Sequence, residues 1–474
     1  MPLPTSSVEA VGSEQSRHHT SSTMSSKRTE PDPRAESTSH PNKKPKTNSL
    51  ASRAGDHLSD CTDLTCTGCA AGEIELTFLA EDGTTTTQPP PTRLLSMALE
   101  EASAELYSQH AVGMAKQLFD LAIEGFEHLK EEAAVDAWAV ETRCAYGTCL
   151  VEFGRYLPVQ ESAKEGVEVF QGVVDDFAKK ARGERGRGKS ASEVEAIMSE
   201  QSSELDEAVE LARALVGLGK AKLVVVQLQR KAAQEQEPED EDEEEGRVRL
   251  KITKEEKKLY NEALEAVEKG LAILNSRNAE CGASAFVRES ILVAKELHSY
   301  GTLLDQPHHR VYLGLRTASA TFIFKDHALE IFSRAIAQLA AAHVADPKSL
   351  DNDNFVQRLW GACLYNRARS MAEGEGEQNT NEAKTLLQQA IDRLSAARKL
   401  ADSTSVSSEL LATAPATEST IELELLGQSY ILLSTLAEDE EEALNAFDTG
   451  VEQLKHALEL DPDNEDLREQ LALL

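Results

Sequence analysis

One short pattern recurs along this chain and restricts its fold more than any other feature. An Ala is followed four residues later by an apolar side chain, and three after that by Ala or Gly. It occurs at Ala115/Phe119/Ala122, Ala263/Val267/Gly270, Ala328/Phe332/Ala335, Ala383/Leu387/Ala390 and Ala443/Phe447/Gly450. Residues three and four apart share one face of a helix, so each instance writes a stripe of small residues around one larger one. Such a stripe lets two helix backbones approach closely and locks them with the larger side chain. Upstream partners with their own Gly precede two instances: Trp360-Gly361 with Leu364, and Leu423, Leu426-Gly427 with Tyr430. The pattern is permissive enough to fit a plain helical bundle. Its recurrence together with those partners favours stacked antiparallel helical hairpins.

From Glu255 onward, apolar periodicity places helices near 255–275, 284–304, 308–324, 326–345, 353–373, 380–401, 418–436 and 440–460, with a short cap at 463–473. Pro307, Asp346-Pro347, Gly374 with Gly376, Pro415 and Asp461-Pro462 separate several of them. The stretch Ala457 to Asn464 looks like the end of a tetratricopeptide repeat. The last three instances of the pattern start at 328, 383 and 443, so repeats of this type would be degenerate, with longer loops or extra turns. Upstream, Leu94 to Phe177 and Glu204 to Lys231 also read as helices, with a turn at Tyr156-Leu157-Pro158. Aromatics make up 5% of the residues while Ala, Leu and Glu abound, a mix that suits helix-on-helix packing. The expected fold is therefore all-α, with degenerate tetratricopeptide-like hairpins and a disordered N-terminal tail.

The expected organisation has six parts. Residues 1–92 are rich in Ser, Thr, Pro and His and too poor in aliphatics to offset the entropy of ordering. Helices follow over 93–178, a Gly-rich basic linker over 179–202 and a further helix over 203–232. The insert at 233–254 contains nine carboxylates in the eleven residues Glu235 to Glu245, a run that repels itself and stays solvated. Residues 255–474 form the helical-repeat domain.

Charge narrows the function. The chain carries 49 Lys and Arg against 82 Asp and Glu, a net charge of −33. Residues 1–60 hold eight basic and seven acidic residues, so the remainder carries −34. Such a body repels phosphate backbones, which argues against direct nucleic-acid binding. It favours protein partners with a basic surface. No apolar run reaches the length of a membrane span, and Met1 to Ala10 lacks the basic cap and apolar stretch of a secretory signal. Seven cysteines, an odd number, suit a reducing compartment. Within the tail, Lys43-Lys44-Pro45-Lys46 is a short, Pro-flanked basic run of the kind import receptors read, with Lys27-Arg28 upstream. A nuclear location is expected from it.

Three features resemble chemistry. Gly183 to Ser190 (Gly-Glu-Arg-Gly-Arg-Gly-Lys-Ser) satisfies the phosphate-loop pattern, but that loop works between a buried strand and a helix. Here a charged helix end, Asp175 to Arg182, precedes it. The one β-branched run downstream, Leu223-Val224-Val225-Val226, is followed by Gln227 and so offers no acidic magnesium ligand. Cys61, Cys66 and Cys69, with His57 ahead, have spacing that could hold zinc, yet a floppy tail with three ordinary cysteines is the simpler account. No pair of the twelve histidines sits on one helix face ahead of a carboxylate ligand. The sequence thus yields no catalytic residue, no metal ligand and no cofactor site.

The basic-tipped tail, the acidic insert inside a helical body and the degenerate hairpins together resemble the fungal enhancer of translation termination family. The best-matching part runs from Asn381-Glu382-Ala383-Lys384 through Lys399-Leu400, then Ile421 to Leu436 and the Glu-rich helix Ala443 to Leu454. The resemblance covers roughly residues 100–474 and rests on generic helix-packing positions. It implies a nuclear, non-enzymatic protein needed for efficient stop-codon recognition, acting through protein partners. The cysteine cluster Cys61 to Cys69 is a departure from that family. A second reading is a co-chaperone adaptor that clamps acidic peptide tails, for which Asn366 and Arg367 are the candidate groove residues.

Overall fold

The computed structural model describes residues 88–104, 109–183, 205–235, 252–277, 283–305, 322–372, 377–406 and 417–474. Residues Met1–Pro90 and Pro91–Leu474 are separate units, and the fold described is that of the second. It contains α1 (Pro91–Ala104), α2 (Gln109–Glu132), α3 (Val140–Tyr156), α4 (Gln160–Gly183), α5 (Leu205–Glu235), α6 (Lys254–Ser276) and α7 (Ala283–Asp305). There follow α8 (Phe322–Ala345), α9 (Pro347–Asp351), α10 (Asn354–Ala372), α11 (Glu377–Val406), α12 (Thr417–Leu436), α13 (Glu440–Leu460) and α14 (Glu465–Leu473). No strand occurs among the described residues.

Neighbouring helices pair as α1/α2, α3/α4, α5/α6, α7/α8, α10/α11 and α12/α13. The first helix of each pair also touches the first helix of the next, and the second helix of each of the first five pairs packs against the first helix of the pair that follows. This is the stacked-hairpin, all-α architecture expected from the recurring Ala pattern. Because each unit meets only its neighbours, the core is a continuous strip rather than one central cluster. Its largest single cluster runs from Ala212 on α5 to Ala390 on α11. Helices α5 and α6 form one hairpin across the acidic segment, so the repeat series takes in residues on both sides of it.

The sequence explains several helix starts. Thr253 accepts a hydrogen bond from the Glu256 amide (3.0 Å) while the Glu256 side chain reaches back to the Thr253 amide, closing a capping box on α6. Asp439 caps α13 through the Glu442 amide, and Asn464 caps α14 through the Leu467 amide. Asp346-Pro347 does more than interrupt: Asp346 caps the Ser349 amide and Pro347 opens the short helix α9.

Small residues sit where helices cross. A Cβ placed on Gly219 of α5 would lie 2.7 Å from the Ala263 carbonyl oxygen of α6, and one on Gly270 of α6 would lie 2.7 Å from the Ala212 carbonyl oxygen of α5. The α12/α13 crossing repeats this with Gly427 and Gly450. The first four Ala-apolar-small triplets are buried at every position. In the fifth, Gly450 is buried but Ala443 and Phe447 are only half-buried, and the enclosed face of α13 runs Ala446, Gly450, Leu454, Ala457.

The helix expected near 308–324 falls mostly outside the described residues, and 322–324 open α8 instead. Leu223-Val224-Val225-Val226, the one β-branched run, lies within α5 and is wholly buried. The middle of helix α5 is buried on several sides because α3, α4, α6 and α7 all pack on it. The tail expectation, apart from its last few residues, and the acidic run beyond Glu235 lie outside the described residues.

Candidate functional site

Polar side chains inside the stack serve as joints between helices. Arg230 of α5 grips the Glu256 carboxylate of α6 (2.6 Å to each oxygen from Nη2), and the Tyr300 hydroxyl of α7 donates to the same carboxylate at 2.8 Å. All three groups are enclosed. One residue thus caps its own helix and ties three helices together.

A second joint centres on Glu296 of α7. Arg155 of α3 donates to one of its oxygens at 2.7 Å. Gln227 of α5 donates to the other oxygen and to the Glu296 carbonyl, each at 3.1 Å. Burial pushes the Glu296 carboxyl up, but the Arg155 guanidinium outweighs it and holds the group below its usual range. Arg143 of α3 meets Asp176 of α4 at 2.7 Å and holds that carboxyl low as well. In the next repeats, Arg393 of α11 lies 3.9 Å over the Trp360 ring of α10 and donates to Gln357 at 3.1 Å.

Among the described residues, burial holds the three cysteines and His298 in unreactive forms. Burial pushes the Cys144 thiol up to about 11, and Cys149 and Cys363 higher still, away from the thiolate a nucleophile needs. Burial pushes His298 down to about 4, so it is neutral near pH 7. Among the described residues no three His, Cys, Asp or Glu side chains gather as a ligand set.

The residues singled out from the sequence fall as follows. Lys43, Lys44, Pro45 and Lys46 lie outside the described residues, as do His57, Cys61, Cys66 and Cys69. Gly183 ends α4, so a helix and not a strand leads into the phosphate-loop pattern, whose residues 184–190 lie outside the described set. Asn366 and Arg367 do not form a free clamp. The Asn366 amide donates to His298 Nε2 at 3.1 Å and the Arg367 guanidinium donates to Glu382 at 2.6 Å. Sequence reading missed the Glu256 and Glu296 joints, whose partners lie up to 141 positions apart. The available signal was a carboxylate inside an apolar helix face, as at Ala294-Lys295-Glu296-Leu297.

What remains for partners is surface, and among the described residues acidic charge is dense at the C-terminal end. Residues 438–474 hold thirteen Asp and Glu against two Lys and Arg, a net charge of −11. A shallow, solvent-open depression between α12 and α13 is lined by Tyr430, Asp439, Glu441, Glu442, Asn445 and Thr449 among others. Beside the α13–α14 turn, burial and the Asp461 and Asp466 carboxylates push Glu424 above the usual carboxylate range, although Asn464 donates to it at 3.0 Å. This end can attract and orient cations or basic side chains.

The fold and this surface define a helical-repeat scaffold. No protein-family model and no curated protein matches the chain. Several solved structures are similar to it. One is the hypoxic regulator of sterol synthesis described as a nuclear import adaptor, at 14% identity over 80% of this chain and 91% of that one, with a TM-score of 0.36. Another is a circular tandem repeat protein with a novel repeat topology, at 13% identity over 81% of this chain and 74% of that one, with a TM-score of 0.32. No helix among the described residues is long and apolar enough to cross a membrane.

Proposed function

We propose that this protein is a nuclear, non-enzymatic adaptor that supports efficient translation termination by binding other proteins. The observation that carries the adaptor part is the division of labour among charged groups. Inside the stack they close joints such as Arg230–Glu256 and Arg155–Glu296, while the C-terminal hairpin displays a dense acidic surface. A stack of this kind presents an extended face without needing a reaction centre. The termination role rests on the family resemblance, and the nuclear address on Lys43-Lys44-Pro45-Lys46.

Depletion of the protein should raise readthrough of a stop-codon reporter, with rescue by the wild-type chain; unchanged readthrough removes the termination role. Changing Lys43, Lys44 and Lys46 together to Ala should abolish nuclear enrichment of a tagged copy, and an unaltered distribution removes the address. The co-chaperone reading gains no support from Asn366 and Arg367, since both are engaged within the fold. An acidic C-terminal peptide is expected not to bind.

A further inference from the structure

The stack marks a place where a helix is missing among the described residues. In the earlier hairpins, Ala115 and Phe119, Ala263 and Val267, Ala328 and Phe332, and Ala383 and Leu387 are each no more than 1% exposed. Each pair lies on a second helix that packs against both its own partner and the first helix of the next hairpin. The equivalent Ala443 and Phe447 on α13 are half-buried. Among the described residues α13 is followed by the nine-residue α14, spanning about 13 Å against about 31 Å for α13 at 1.5 Å per residue. Its Leu467 and Leu471 pack in one cluster with Leu454, Ala457 and Leu458, in the C-terminal half of α13.

Toward the N-terminal half, Leu444 is 59% exposed. Leu444, Phe447 and Val451 follow one another at steps of three and four and therefore share a flank. Of the five exposed large apolar side chains among the described residues, two (Leu444 and Leu473) belong to the last two helices and a third, Leu474, follows directly on α14. Beside the flank runs an exposed acidic row at helical spacing, Glu441, Asp448, Glu452 and Glu459. Glu441 belongs both to this row and to the lining of the acidic depression between α12 and α13.

We propose that this flank of α13 docks one amphipathic helix from another protein, seated where the first helix of a further hairpin would lie. Its apolar anchors would recur at three- and four-residue steps to cover Leu444, Phe447 and Val451, and Lys or Arg would border them to meet the carboxylate row. Charge selects this occupant over a second copy of the chain, because two copies meeting here would bring two ends of net charge −11 together. The inference sharpens the basic-partner reading above and does not depend on the role in termination, because binding itself is measured.

The test uses the 474-residue protein and a labelled peptide of about 18 residues built from Leu and Lys, with Leu on one helical face. Two controls are an isomer of the same composition with the Leu positions scrambled and a version with Glu in place of Lys. Saturable binding of the first peptide is expected, about tenfold tighter than either control. Leu444→Glu should weaken it about tenfold and Asp448→Asn with Glu452→Gln about threefold, while Val344→Glu on α8, whose side chain is 83% exposed, should leave it unchanged. Matched circular dichroism melts show that the variants are folded. Absent binding, equal binding of the scrambled isomer, or equal loss in Leu444→Glu and Val344→Glu overturns the proposal. So does a concentration-dependent doubling of mass that Leu444→Glu abolishes, which would assign the flank to a second copy. Binding seen only after residues 1–90 are removed would assign it to the protein's own tail and overturns the proposal too.

Discussion

Single polar residues decide how firmly the hairpins are joined. Glu296 is enclosed and has Arg155 and Gln227 as partners. Removing Arg155 leaves a buried carboxylate unpaired, a change that costs roughly 3–5 kcal/mol. Arg155→Met should therefore lower stability by about that much in urea unfolding, and adding Glu296→Gln should restore part of it, because the stranded charge is then gone. Equal effects of the single and double variants would show that the joint carries no coupling. His298 gives a pH signature. It packs against Phe332 (ring centroids 5.9 Å) and its Nε2 accepts from Asn366, so protonation would set a donor against a donor. With a folded value of about 4 against an ordinary 6.5, the unfolded chain takes up the proton first as pH falls. Stability present above pH 6.5 is thus lost between about pH 6.5 and 4, by at most about 1.4 kcal/mol per pH unit. His327, which burial also holds low, acts in the same direction. Urea midpoints at pH 7, 6 and 5 should fall less steeply in His298→Gln than in the wild type.

At the scale of helices, glycine sets the hairpin spacing. Gly270 faces the Ala212 carbonyl and Val216 across the α5/α6 crossing. Gly270→Val should cost about 1–3 kcal/mol by overpacking, read as a lowered melting temperature without loss of helicity; an unchanged melt would mean that the crossing relaxes freely. These crossings were legible in the sequence, because small residues around one larger side chain at helical spacing leave few alternatives to close packing. The α6, α7, α10, α12 and α13 boundaries were legible for a similar reason, since Pro and Gly breaks punctuate several of them, whereas α11 runs over Glu377–Val406 and so extends past both ends of the expected 380–401. The pattern could not reveal that the fifth triplet is only partly enclosed. Ala443 and Phe447 match the rule letter by letter, and their exposure depends on whether another helix follows. The carboxylate joints were hidden too, because pairing Glu296 with Arg155 requires knowing which helices stack. The β-branched run in α5 is the converse case: four-sided burial overrides a modest helix propensity.

For the whole molecule, a strip-like core means that stability is a sum over hairpins and the interfaces between them. The α5/α6 hairpin is the test, because the acidic segment interrupts it. Its closure is held by the Gly219 and Gly270 contacts, the Thr253 capping box and the Arg230–Glu256 pair, all outside that segment. Loop length enters closure only logarithmically, at about 0.6 kcal/mol per doubling. The nine carboxylates of 235–245, by contrast, add to a net charge of −33 that opposes compaction by self-repulsion. Replacing residues 237–250 with an equally long Gly/Ser linker should therefore leave the melting temperature unchanged or raise it. The gain should shrink as salt is increased from low to physiological strength, because the Debye length falls from about 30 Å at 0.01 M to about 8 Å at 0.15 M. A lowered melting temperature at every salt concentration would mean instead that the acidic segment packs on the hairpin. It would then count as part of the repeat and not as an insertion that the α5/α6 pair tolerates.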